Sequence, residues 1–145
     1  MKGEEITSEV RTFPAGEYYV GDPCYVIGDN DNPNDTDWED LGISTGWFGC
    51  DPDIPHPNWD DGLFEYNGYK CFAYHTAYGD GTYTFGRMTF GVDAGLLSVI
   101  PMEAVNAGRI TDAHLLGHVV EFKIPFKVWY EDGTFYFGHI EIDTN

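Results

Sequence analysis

Alternating apolar and polar positions run through the second half of the chain and predict antiparallel β-structure. Residues 119–130 (VVEFKIPFKVWY) and 134–142 (TFYFGHIEI) flank Glu131-Asp132-Gly133, and Asp-Gly is a favoured two-residue hairpin turn. In the first run Phe122, Ile124, Phe126, Val128 and Tyr130 share one face, with Glu121, Lys123, Lys127 and Trp129 on the other. That is the pattern of a sheet with one side on a core. Pro125 has no N–H to donate to a ladder, so an edge strand or a bulge is expected there.

Upstream, residues 63–66 and 69–76 flank Asn67-Gly68, a second hairpin signal. Gly79-Asp80-Gly81 turns the chain into 82–85 and then 88–92, and Asp93-Ala94-Gly95 leads into 96–100. Helix is scarce. Residues 101–105 predict one turn opened by Pro101, and 111–116 predict a second, capped by Thr111-Asp112. Residues 17–27 (EYYVGDPCYVI) read as a strand interrupted at Gly21-Asp22-Pro23. Residues 28–40 and 49–62 read as two polar, turn-rich loops. The expected fold is one domain over residues 1–145, a mainly β antiparallel sandwich or open barrel. One or two short helices and two long acidic loops elaborate it, and residues 1–12 form a flexible N-terminus.

Charge changes this picture. The chain has 145 residues, with 25 acids against seven lysines and arginines, a formal net charge of −18. From Thr12 to Tyr69 there is no lysine or arginine but thirteen carboxylates. A field of one sign attracts cations and basic surfaces and repels nucleic acid and anionic membranes. Ten Phe, ten Tyr and four Trp argue against acidic disorder, which lacks such side chains. Three cysteines (Cys24, Cys50 and Cys71) without a C-x-x-C pair fit a reducing compartment and disfavour a thiolate zinc site. The opening MKGEEITSEV has no apolar core of a signal peptide, so a cytoplasmic protein is expected.

Several clusters carry candidate chemistry. Asp29, Asp31, Asp35, Asp37 and Asp40 follow calcium-loop spacing. Yet Pro33 takes a ligand position, Asn34 replaces the turn glycine and Asp40 replaces the bidentate Glu, so no tight calcium site is expected. Cys24 with His75 as base would make a nucleophile, but a reactive thiol needs cationic surroundings, and the stretch from Thr12 to Tyr69 has no lysine or arginine. Asp22, His75, Asp80 and Asp93 together suit a metal-assisted hydrolase, although aspartates beside glycines also serve tight turns. His114 and His118 chelate only if a helix continues through Gly117. There is no H-E-x-x-H, G-x-S-x-G or phosphate-loop motif, and no cofactor is expected.

The acidic loops offer a surface of Asp29, Asp31, Asp35, Asp37, Glu39, Asp40, Asp51, Asp53, Asp60 and Asp61, with Trp38 and Trp59 as anchors. Trp and carboxylates suit a partner rich in arginine and lysine. Equally, the indoles serve to pin the loops to the core. The segments YYVGDPCYVI (18–27), GDGTY (79–83) and FGVDAGLL (90–97) resemble parts of small bacterial and phage β proteins of unknown function. The resemblance implies a microbial or phage origin and no activity. The favoured expectation is a non-catalytic acidic protein that occupies a basic, nucleic-acid-handling or defence protein. A phage counter-defence inhibitor or nucleic-acid mimic in the host cytoplasm fits this description. The alternatives are an immunity-type inhibitor of a basic toxin and the small hydrolase.

Overall fold

The computed structural model describes residues 7–28, 38–47 and 59–145. They form a mainly β fold. In chain order the described elements are β1 (Arg11–Phe13), β2 (Gly16–Gly21), α1 (Trp38–Thr45), β3 (Leu63–Tyr66), β4 (Tyr69–His75), β5 (Gly81–Phe85) and β6 (Met88–Val92). They continue with β7 (Leu96–Pro101), α2 (Ile110–Leu116), β8 (His118–Phe122), β9 (Phe126–Glu131), β10 (Thr134–Phe137) and β11 (Ile140–Asp143). Short 3-10 turns at Pro23–Tyr25, Met102–Ala104 and Ala107–Arg109 complete them.

Turn chemistry sets the hairpins. Asn67 (φ 52) and Gly68 (φ 83) join β3 to β4, and Asp132 (φ 46) and Gly133 (φ 89) join β9 to β10. Both pairs take the left-handed conformation that Asn, Asp and Gly tolerate best. The strands then assemble as one antiparallel sheet in the order β3-β4-β7-β2-β8 and a second in the order β1-β9-β10-β11, with β5-β6 as a separate hairpin.

The five-stranded sheet is covered on both faces. Tyr18, Val20, Phe72, Leu97 and Val99 point into a core shared with Phe13, Phe126, Val128 and Phe135 of the second sheet and Phe90 of the hairpin. Tyr19, Phe64, Tyr66, Cys71, Leu96 and Ile100 point the other way. There they meet Ile27, Leu41, Trp47, Val105 and Ala113 from the helical and turn segments. Every residue of β7 is buried as a result, and its near-continuous apolar sequence LLSVIP is what two-sided burial demands. Each fully buried Val, Leu or Ile contributes about 1.5–3 kcal/mol, so this strand is a main source of stability.

Several expectations need correction. Residues 119–130 do not form one strand: the chain leaves the first sheet after Phe122 and enters the second at Phe126. Pro125 cannot donate to a ladder and restricts Ile124 before it, so the sheet change falls there. Phe122, Phe126, Val128 and Tyr130 do face the core, but Ile124 is 72% exposed. Residues 134–142 likewise split into β10 and β11 around Gly138 (φ 63). Phe137 and Ile140 are both fully buried three residues apart, a spacing that simple alternation cannot supply. The loop expected over 28–40 gives way to α1 at Trp38. Thr111 lies inside α2 rather than capping it, and Arg109 takes the cap position without a side-chain bond.

Residues 7–12, expected within a flexible terminus, are tied down. The Ser8 N–H donates to the Tyr130 carbonyl at 2.8 Å, the Tyr130 N–H donates to Ser8 Oγ at 2.9 Å, and β1 pairs with β9.

Gly62 (φ 99) turns the chain into β3, and a Cβ there would overlap the Phe72 ring. Gly62→Ala is therefore expected to lose about 2–4 kcal/mol in urea unfolding, combining backbone strain with overpacking. Ile124→Ser is expected to change stability by less than about 0.5 kcal/mol.

Candidate functional site

Asp22 follows the end of β2 and is completely buried. An isolated buried carboxylate is costly, and here backbone donors compensate it. Its Oδ1 accepts the Cys24 N–H at 2.9 Å, which caps the Pro23–Tyr25 turn. Its Oδ2 accepts the Asp93 N–H at 2.8 Å and the Ala94 N–H at 2.7 Å. Neighbouring bonds lock the same corner: Tyr19 donates its hydroxyl to the Asp22 carbonyl at 2.6 Å, and Ser98 Oγ donates to the Gly21 carbonyl at 2.7 Å.

The other members of the predicted quartet gather around the same Asp93–Gly95 turn. The Asp93 carboxylate accepts the Tyr25 hydroxyl. His75, exposed at the end of β4, has its pKa lowered by partial desolvation, opposed by the Gly95 backbone beside it. Asp80 is exposed, with Oδ1 3.7 Å from where a Cβ on Gly95 would sit. The structure thus brings Asp22, His75, Asp80 and Asp93 to one turn, but the bonds of Asp22 run to backbone and that of Asp93 to Tyr25. Among the described residues no group of three or more His, Cys, Asp or Glu is arranged to hold a metal ion.

Burial, reinforced by Asp22, Asp93 and Asp80, pushes the Cys24 thiol far above its ordinary pKa. It stays protonated at neutral pH, so the nucleophile reading fails chiefly because the thiol is desolvated, with the acidic surroundings adding to the effect. Cys71 is buried in the second core, and burial raises its thiol likewise. The His114/His118 chelate also fails: α2 ends at Leu116, Gly117 is extended (φ −141, ψ −148), and His118 opens β8. Its ring packs on Phe90 at 4.9 Å.

Of the predicted partner surface, Asp29, Asp31, Asp35, Asp37, Asp51 and Asp53 lie outside the described residues. The calcium-like spacing through Pro33 and Asn34 lies there too. Glu39 and Asp40 fall in the first turn of α1. The indoles serve as pins. Trp38 packs on Trp47 at 5.6 Å and Trp59 on Tyr74 at 5.4 Å, both against the core. Asp60 is well exposed and pairs with Arg11 at 3.4 Å. Asp61 is structural: its Oδ2 accepts the Glu9 N–H at 2.6 Å and its Oδ1 the Tyr74 hydroxyl at 3.3 Å. These links join residues 49 and 52 positions apart, which local pattern does not reveal. Lys70 and Glu103, which no motif singled out, line a cavity of about 430 Å³ at the edge between the two sheets.

Comparison with known proteins finds no matching family model, curated protein or solved structure.

Asp22→Asn keeps the shape but leaves three N–H donors facing one oxygen and an NH2 group. It is expected to cost about 1–3 kcal/mol in chemical unfolding. In a Cys50→Ser background, the native protein should react with a disulfide reagent at pH 8 much more slowly than the unfolded chain. A native rate equal to or above that of the unfolded chain would overturn the shielded, protonated reading of the thiols.

Proposed function

We propose that the protein is an acidic, non-catalytic binding protein that occupies a basic surface of another protein. The observation that carries this reading is a net charge of −18 borne on an ordered aromatic fold. Ion pairs within the described residues join Arg11 to Glu9 and Asp60 and Arg109 to Asp112. Seven cations cannot compensate 25 acids, so a strong outward field persists. Such a field steers a basic partner and accelerates its association.

The carboxylates, rather than the indoles, would make the contact, because Trp38 and Trp59 are engaged with the core. Glu39, Asp40 and Asp60, with Asp29, Asp31, Asp35, Asp37, Asp51 and Asp53, are the proposed contact set. A nucleic-acid-handling or defence protein has the required basic site, and a phage inhibitor acting as a nucleic-acid mimic in the host cytoplasm is the favoured setting. Inhibition of a basic toxin uses the same complementarity. The hydrolase reading gains no support, since Asp22 spends both oxygens on backbone donors.

The test is capture from a bacterial lysate at low salt, followed by kinetics with the purified partner. The association rate is expected to fall about tenfold or more as sodium chloride rises from about 50 to about 300 mM. The triple change Asp35→Asn, Asp37→Asn and Asp40→Asn should slow association further. A partner whose binding ignored both salt and the triple change would sink the proposal.

A further inference from the structure

Arg11 and Lys70 border the long cation-free stretch of sequence, and the fold brings both to the rim of one cavity. This cavity, of about 430 Å³, lies where β1 of the second sheet meets β2, β3, β4 and β7 of the first. Phe13, Tyr18, Leu63 and Pro101 give it an apolar lining. Small-molecule sites commonly measure about 300–1,000 Å³ and combine such a lining with a few placed polar groups.

The charged groups on the rim differ in availability. Arg11 is only partly committed: its Nη2 pairs with Glu9 at 3.5 Å and Asp60 at 3.4 Å and donates to the Asp60 carbonyl at 3.0 Å, whereas its buried Nε has no partner among the described residues. Lys70 is exposed, stands opposite Glu65 in the β3–β4 register, and makes no ion pair with a described residue. Glu103, in the turn after β7, is exposed and likewise has no ion pair among the described residues. Its charge reaches the cavity: the Tyr18 phenol has its pKa raised first by burial and then by Glu103.

We infer that this cavity binds a small zwitterion with an apolar body, of the class of a dipeptide with apolar side chains. Lys70 receives the carboxylate, Glu103 receives the ammonium, and Phe13, Tyr18 and Leu63 receive the side chains. Net charge decides between ligand classes. A molecule at −18 repels an anion at long range, and Lys70, the lining cation without an ion pair to a described residue, opposes a cation locally. A net-neutral ligand with separated charges meets neither penalty. The site needs no basic protein partner, and Lys70 and Glu103 are distinct from the aspartates proposed for partner contact, so the two readings fail separately.

The experiment is an amide-resolved NMR titration of the full chain with L-leucyl-L-phenylalanine, its N-acetyl form and its C-terminal amide. The free dipeptide is expected to shift the resonances of Phe13, Tyr18 and Leu63. It should bind about tenfold tighter than either blocked form, the equivalent of one well-placed charge contact. Lys70→Gln should abolish the advantage over the amide, and Glu103→Gln the advantage over the N-acetyl form. Both side chains are exposed, so the fold should survive either change. Equal binding of all three compounds, tighter binding of a blocked form, or no shift at those residues with millimolar dipeptide would overturn the inference.

Discussion

Two-sided burial of the five-stranded sheet is the constraint on which the rest depends. A sheet with one wet face needs a single covering layer; this one needs two, and the chain supplies unlike ones. The four-stranded sheet and the β5-β6 hairpin cover one face, and short helices and 3-10 turns cover the other. β7 and β2 therefore carry apolar residues on both sides, and the polar groups left among them must be satisfied internally. Ser98, Tyr19 and Asp22 meet that demand by bonding to backbone at one end of the sheet.

That requirement changes the meaning of the Asp22, His75, Asp80 and Asp93 group. Spatial convergence alone would favour a reactive centre, and these residues do converge. Reactivity also needs spare bonding capacity and a charge balance that activates a nucleophile. Asp22 has its oxygens filled by three backbone donors, and burial, reinforced by the carboxylates around it, holds the proton on Cys24. The same acidity that disables a thiolate suits an outward field for a basic partner. Local electrostatics and net charge thus argue in one direction.

Much of the architecture was legible because short-range rules govern it. Asn67-Gly68 and Asp132-Gly133 take the positive φ values their chemistry favours, and the strands beside them follow. The failures share a cause. Ile124 continues the alternation of its neighbours yet is exposed, because the chain changes sheets at Pro125, and alternation carries no record of which sheet a strand joins. Gly138 interrupts what reads as one strand, since the pattern around it fits either a straight strand or a tight hairpin.

By itself, the sequence determined the β class, the Asn67-Gly68 and Asp132-Gly133 turns and the sign of the electrostatic field. These follow from side-chain periodicity, backbone preferences and formal charge, all of which are local or additive. Tertiary structure alone decided that Asp22 is a buried rivet, that Trp38 and Trp59 face the core, and that Lys70 and Glu103 meet at one cavity with Arg11. Those outcomes depend on contacts between distant segments, where burial and hydrogen-bond saturation are set by packing, which no stretch of sequence encodes alone.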